Sequence, residues 1–203
     1  MFRCLLPLLS AALVLTLGSA RGQALLELPY GLKWGDSPEK LIALASQHSL
    51  DVNISLPGKQ PALRIVRLHS STGLWPGSTE TDLEGRFLGG HLIELTLHYT
   101  DPEANANQME ERFEKLKAQM TATHGALIND QRQQSVQDKF ATRSQSYHRD
   151  PVQGLFLMLM FTEVEDLLRK SKEARYSVMY RNDNLRQEIE KLLAAPPVPR
   201  DGR

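Results

Sequence analysis

The sequence predicts an α+β domain, in which an antiparallel sheet of about six strands carries amphipathic helices on one face. Residues 155–161 are apolar at every position, which predicts a strand covered on both faces in the middle of the sheet. Gly89-Gly90 is a two-residue hairpin connection that follows and precedes segments of alternating polarity. The segments predicted to be helical each carry one apolar stripe, so each would cover the sheet on one side only.

The N-terminus predicts a signal peptide at residues 1–20. Arg3 precedes an apolar segment at residues 5–17, and small residues allow cleavage after Ala20 or Ala24. The apolar segment is short for a transmembrane helix, so we expect cleavage, with an uncleaved anchor as the alternative. The sequence therefore predicts an exported protein, periplasmic or secreted, with no stable membrane span once the signal has been removed.

Cysteine usage and charge exclude several kinds of site. Cys4 is the one cysteine of the chain, and it lies inside the predicted signal peptide. The mature chain would thus have no disulfide, no cysteine nucleophile and no thiolate metal site. The chain has 24 acidic and 24 basic residues, and this balance argues against general nucleic-acid binding, which needs a basic surface.

The first helix is predicted to begin at Pro38 and to end near His48. Ser37 takes the N-cap position before Pro38, and Glu39 suits the positive end of the helix dipole. The segment Leu32-Lys33-Trp34-Gly35-Asp36-Ser37-Pro38-Glu39 resembles the opening of small uncharacterised bacterial secreted or periplasmic proteins and lipoproteins, where an aromatic-Gly-x-Ser segment leads into the first helix. This resemblance, over about a dozen residues, implies a protein of the bacterial envelope and implies no activity.

Strands are predicted to follow the first helix at residues 62–69, 81–88 and 91–100, and residues 51–56 are compatible with a further short strand. Alternation is clearest in residues 91–100, which predicts one packed face and one polar face. The residues predicted to be packed are Ile93, Leu95, Leu97 and Tyr99, and those predicted to be polar are Glu94, Thr96 and His98.

The second half begins with the longest helix, predicted to start at Asp101-Pro102-Glu103 and to end at Gly125. Residues 128–139 show no periodicity and are predicted to form a loop. Residues 141–148 are predicted to form an edge strand that is polar on both faces, followed by a turn at Asp150-Pro151 that leads into the central strand.

After the central strand, residues 164–171 are either a short helix or the end of a long hairpin, and residues 174–181 are predicted to be the last strand. Asn182-Asp183-Asn184 would cap a closing helix. The apolar stripe of that helix consists of Leu185, Ile189, Leu192 and Leu193.

The order of elements is helix and three strands, helix and three strands, and a final helix, which suggests a diverged duplication. Residues 25–194 are predicted to form a single domain, and the Pro-rich residues 195–203 a disordered tail. The central strand would turn Phe156, Met158 and Met160 towards the face that lacks helices. Either the closing helix or a bound partner would have to cover them.

The sequence contains no familiar catalytic, phosphate-binding or dinucleotide-binding motif. We therefore predict no catalytic residue, no cofactor and no metal site, and we interpret the six histidines as surface residues. A hydrolase with a non-standard site would need His148, Asp150 or Glu94 to converge in a cleft. Ser144 and Ser146 are predicted to share a strand face with His148, yet proximity along one strand does not make a nucleophile.

Four residues are candidates for a binding surface: Trp34, Trp75, Met158 and Met160. The two tryptophans would form an exposed aromatic platform for a glycan or peptide, or else close the end of the core, which is the commoner use. The two methionines would form a pliable contact surface, or else fill the core.

These observations favour a non-catalytic exported protein that binds another envelope component, either a protein or cell-wall material, through its sheet face or a groove beside it. One alternative is a hydrolase that acts on cell-wall material. The other is a carrier of a small lipophilic ligand, which would need an apolar cavity of about 300 Å³ or more.

Overall fold

The structure is a computed structural model that describes residues 26–71, 73–74 and 79–194. The predicted signal peptide, Trp75 and the predicted tail at residues 195–203 lie outside the described residues. Among the residues that are described, no helix is both long enough and apolar enough to cross a bilayer. The elements, in chain order, are α1 (Pro38–His48), β1 (Asp51–Ser55), β2 (Leu63–His69), β3 (Asp82–Leu88), β4 (His91–Tyr99), α2 (Ala106–His124), β5 (Ile128–Gln137), β6 (Phe140–Val152), β7 (Leu155–Asp166), β8 (Ser171–Asn182) and α3 (Asp183–Ala194).

All the described strands belong to one antiparallel sheet of eight strands in the order β1-β2-β3-β4-β8-β7-β6-β5. The prediction of an α+β domain with an antiparallel sheet is confirmed, whereas the prediction of about six strands is wrong. Each half of the chain is a helix followed by four strands that pair with their neighbours in sequence, rather than a helix followed by three. The predicted hairpin at Gly89-Gly90 joins β3 to β4, with positive φ at both glycines.

The strand that sequence periodicity missed is β5. Residues 128–139 were predicted to be a loop, but most of them form this strand, whose side chains are exposed at every position. A strand that contributes nothing to a core carries no alternation of polarity, and β5 is held by its backbone pairing with β6. Consequently β6 is an interior strand and not the predicted edge strand. Asp150-Pro151 lies within β6 at a β-bulge, and the turn comes at residues 153–154.

The start of α2 was also predicted four residues too early, because the cap is Asn105 and not Asp101. The side chain of Asn105 accepts a hydrogen bond from the Gln108 N–H at 3.0 Å, and the Gln108 side chain accepts one from the Asn105 N–H at 2.9 Å. This reciprocal capping box satisfies two N–H groups of the first turn. For residues 164–171 the second alternative is correct, because β7 and β8 form one long hairpin.

Helices α1 and α2 pack on one face of the sheet, named here the core face. Phe113 of α2 is fully buried, and its ring centroid lies 5.3 Å from that of Phe161 and 5.9 Å from that of Tyr176. Residues 155–161 form a strand as predicted, and its odd-numbered members are buried on the core face. The prediction that both faces are covered is wrong, because Met160 on the other face is 40% exposed. The buried residues of the core face include Leu41, Ala45, Leu83, Phe87, Leu95, Leu97, Met109, Phe113, Leu157, Leu159, Phe161, Tyr176 and Val178.

Helix α3 packs on the opposite face, named here the second face, so the prediction of helices on one face is wrong for α3. The alternative, a closing helix that covers the other face, is correct in part, because α3 lies there but leaves Met160 40% exposed. Ile189 of α3 forms a small buried cluster with Leu88 and Ile93. Leu88 follows Phe87 in β3 and therefore points away from the core face. Ile93 was predicted to face the same side as Leu95, but a register shift opposite it leaves it without a ladder partner and turns it towards α3.

Close packing of α1 against β3 depends on Gly85. A Cβ atom at Gly85 would lie 2.9 Å from Leu41 Cδ2 and 2.9 Å from Phe87 Cε2, so the core would have to rearrange. We expect Gly85→Ala to lower the free energy of unfolding by about 1–3 kcal/mol. Gly58→Ala is the matched control, because a Cβ atom there meets nothing within 4 Å. Denaturant unfolding of both variants tests this, and equal stabilities would contradict it.

Candidate functional site

The second face is covered at one end and open at the other. Helix α3 covers the end that contains Leu88 and Ile93. The opposite end contains an open groove of about 300 Å³ that crosses β2, β3, β4, β8 and β7. This second-face groove is lined by Arg67, Asp82, His98, Thr100, Met160, Thr162, Arg175, Tyr176 and Ser177.

Methionines occupy the middle of the second face. Met160 of β7 lies between Ser177 of β8 and Ser146 of β6, and 40% of its surface is exposed. Met158, two residues earlier, pairs with Met179 of β8 and is half-buried. Both predicted methionines are therefore on the second face rather than in the main core, and Met160 alone of the three presents a large exposed apolar area.

His98 and Arg175 give the groove its polar character. Neither side chain forms a hydrogen bond or ion pair with the described part of the chain, and Nε2 of His98 is buried. Burial lowers the pKa of His98, although the carboxylate of Glu84 opposes this effect. The groove therefore offers a neutral imidazole beside a guanidinium whose charge no described carboxylate neutralises.

The other cations of the second face are mostly neutralised. Arg86 lies between two carboxylates, with its Nε 3.2 Å from Glu84 Oε1 and 3.2 Å from Glu94 Oε1, while Arg67 also binds Glu84. Burial raises the pKa of Glu84, but the hydrogen bonds from Arg67 and Arg86 outweigh burial and leave it below its usual range. Burial raises the pKa of Glu94 further than the neighbouring arginines lower it. Arg175 differs from these arginines, because no carboxylate in the described part of the chain pairs with it.

The tryptophan candidates do not form part of the groove as far as the described residues extend. Trp34 is half-buried against the main core, and its Nε1 donates a hydrogen bond to the Leu26 carbonyl at 3.1 Å. This placement matches the interpretation of Trp34 as a residue that closes the core. Trp75 falls outside the described residues.

Ser144, Ser146 and His148 share the second face of β6, as predicted. No hydrogen bond joins either serine to His148 within the described structure. The imidazole of His148 instead stacks on Phe156, with ring centroids 5.7 Å apart, and its Nδ1 lies 3.8 Å from Asp130 Oδ1. The described hydrogen bonds therefore do not link either serine to an activating base.

The carboxylates proposed for a hydrolase do not converge with His148. Glu94 is on β4, three strand spacings from β6, so the backbones of the two strands are about 14 Å apart. It lines a separate cavity of about 350 Å³ beside α3. Asp150 is exposed at the bulge of β6. The described residues contain no cluster of three or more His, Cys, Asp or Glu side chains that could hold a metal ion.

Sequence reasoning missed Arg175, and it missed the groove. The sequence did show that Arg175 and Ser177 share one face of a strand, since they alternate with Tyr176, which is buried. The missing information was that β8 pairs with β4, which places Ser177 opposite His98. That pairing joins segments about 80 residues apart, and no local pattern signals it.

Comparisons with protein-family models, with curated proteins and with solved structures found no match for this chain. The chemistry of the second-face groove is the observation from which a function can be inferred. The groove combines an exposed thioether, two guanidinium groups, a carboxylate, an imidazole and several hydroxyl groups.

The lowered pKa of His98 predicts a contribution to the pH dependence of stability. Below its ordinary pKa of about 6.5, the unfolded chain binds a proton that the folded chain does not, so stability falls as the pH decreases. The charges that face His98 are Glu84 and Asp82, which oppose the shift, and Arg67 and Arg175, which add to it.

We expect His98→Gln to reduce the loss of unfolding free energy between about pH 7 and pH 5. Denaturant unfolding at a series of pH values measures this loss. His91→Gln, at an exposed position on the same strand, is the control. Parallel pH profiles for the parent and His98→Gln would contradict the interpretation that the half-buried imidazole of His98 is neutral.

Proposed function

We propose that the protein is an exported, non-catalytic binding protein that holds a segment of another envelope protein in the second-face groove. The observation that carries the proposal is the presence in one groove of exposed Met160 and of Arg175, which forms no ion pair with any carboxylate of the described residues. A contact that covers Met160 and supplies a carboxylate to Arg175 would satisfy both side chains at once.

The chemistry of the groove favours a peptide segment that carries a carboxylate next to an apolar side chain. Guanidinium groups bind carboxylates through two parallel hydrogen bonds, and methionine adapts to apolar side chains of different shape. The hydroxyl groups of Thr100, Thr162 and Ser177 add adaptable donors and acceptors along the groove. A lipophilic ligand would fit this lining less well, because charged and hydroxyl-bearing residues make up most of it.

Support for export comes from the amino-acid sequence. Arg3 and the apolar residues 5–17 have the order of a signal peptide, with small residues before both candidate cleavage sites. The segment from Leu32 to Glu39, with its resemblance to bacterial secreted and periplasmic proteins, points to the same compartment.

Selection of peptides from a random display library tests the binding proposal. We expect enrichment of sequences with an acidic group, or the free carboxyl terminus, beside an apolar residue. Met160→Glu should lower the affinity for the selected peptides by at least about tenfold, because a charge replaces the central apolar contact. Val52→Glu is the matched control, since Val52 is likewise 40% exposed but lies on edge strand β1.

The charge of Arg175 provides the second arm of the same test. Arg175→Gln should lower the affinity for the selected peptides by about tenfold, because a charge-assisted hydrogen bond is lost. It should also reduce the salt dependence of binding. Selected peptides without acidic groups, or equal affinity of the Met160→Glu variant and the parent, would overturn the proposal.

Export is tested by expressing the full chain in a bacterium and fractionating the cells. We expect the processed protein outside the inner membrane, beginning at Arg21 or Leu25, as N-terminal sequencing would identify. A chain that keeps residues 1–20 and remains in the membrane fraction would favour the uncleaved anchor instead.

A further inference from the structure

Two hairpin turns lie side by side at one end of the sheet. The turn between β5 and β6 consists of Asp138 and Lys139, and the turn between β7 and β8 consists of residues 167–170. The Leu167 N–H donates a hydrogen bond to the Lys139 carbonyl at 2.8 Å, which ties the two turns together. We name this protrusion, made of residues 138–140 and 167–170, the apolar tip.

The apolar tip exposes large apolar side chains where turns usually carry small polar ones. Leu168 is 75% exposed, and its neighbours Leu167 and Phe140 are exposed as well. Val136, two residues before the first turn, is also exposed, but its register with Ala141 places it on the opposite face of the sheet from Phe140. These side chains are far from the main core, so core packing does not account for them.

The charges around the apolar tip are mainly positive. The turns contain Lys139, Arg169 and Lys170 against Asp138. Asp166, at the end of β7, accepts hydrogen bonds from the N–H groups of Leu168 and Arg169 and lies 3.8 Å from the Arg169 guanidinium. Neither Lys139 nor Lys170 has an ion-pair partner within the described residues.

Shape and charge together select the partner. The apolar tip projects from the end of the sheet, so it suits a deformable apolar layer better than a second flat protein surface. Exposed leucines and an aromatic residue, bordered by lysine and arginine, are the composition of segments that enter the interface of a bilayer with anionic lipids. We propose that the apolar tip inserts into the headgroup region of a membrane rich in anionic lipid.

Vesicle sedimentation tests this membrane contact with the mature chain. The probes are vesicles of phosphatidylcholine alone and vesicles of phosphatidylcholine mixed with phosphatidylglycerol. We expect binding to the mixed vesicles that weakens with added salt. Replacing both leucines, Leu167→Glu together with Leu168→Glu, should reduce the bound fraction at least about tenfold.

Leu192→Glu is the matched control, because Leu192 of α3 is also 75% exposed and lies on a different surface. It should leave vesicle binding unchanged. The pair Lys139→Gln and Lys170→Gln should weaken binding to the mixed vesicles and remove most of its salt dependence. Thermal unfolding of each variant verifies that the fold is intact.

A tryptophan reporter locates the contact. In the Leu168→Trp variant, emission should shift to shorter wavelength on mixed vesicles, whereas Leu192→Trp should show no shift. Absence of binding to both vesicle types at low salt would overturn the proposal and leave the apolar tip as a protein contact. Equal binding of the parent and the double leucine variant would overturn it as well.

Discussion

The pairing of β4 with β8 is the interaction on which the rest of the structure depends. Among the described strands, every other pair joins neighbours in sequence, and this pair alone joins the two halves of the chain. Tyr99 and Tyr176 face each other across it with ring centroids 4.5 Å apart, and Phe113 of α2 packs against Tyr176. Burial raises the pKa of both tyrosines. The pairing thus merges two four-stranded units into one sheet with a single main core.

The same pairing creates the second-face groove. Arg67, Asp82 and His98 come from the first half of the chain, while Met160 and Arg175 come from the second. Neither half alone would contain the groove, because its walls meet only where β4 lies beside β8. Since α3 follows β8 without a loop and packs at the other end of the second face, it covers Leu88 and Ile93 but leaves Met160 exposed. Any disruption of the β4–β8 pairing would therefore remove the groove together with the core.

How much could be predicted from the sequence depended on contact with the core. The strand containing Leu95 was predicted correctly because burial of one face imposes a period of two, and the strand containing Leu159 because its apolar run is short and continuous. β5 was missed because both of its faces are exposed, and Ile93 was assigned to the wrong face because a bulge interrupts the alternation. The placement of His98 beside Ser177 depends on a pairing between distant segments, which leaves no local signal.

The groove and the apolar tip lie towards the same end of the sheet. Thr162 of β7, which lines the groove, precedes Leu167, the first residue of the turn after β7, by five residues. At about 3.3 Å per residue, the groove would then open about 16 Å above a bilayer entered by the apolar tip. Helix α3 lies at the opposite end, so it would not separate the groove from the membrane. A peptide segment held by Met160 and Arg175 would consequently lie close to the membrane surface. The peptide contact in the groove and the membrane contact of the apolar tip can therefore form in the same orientation of the domain.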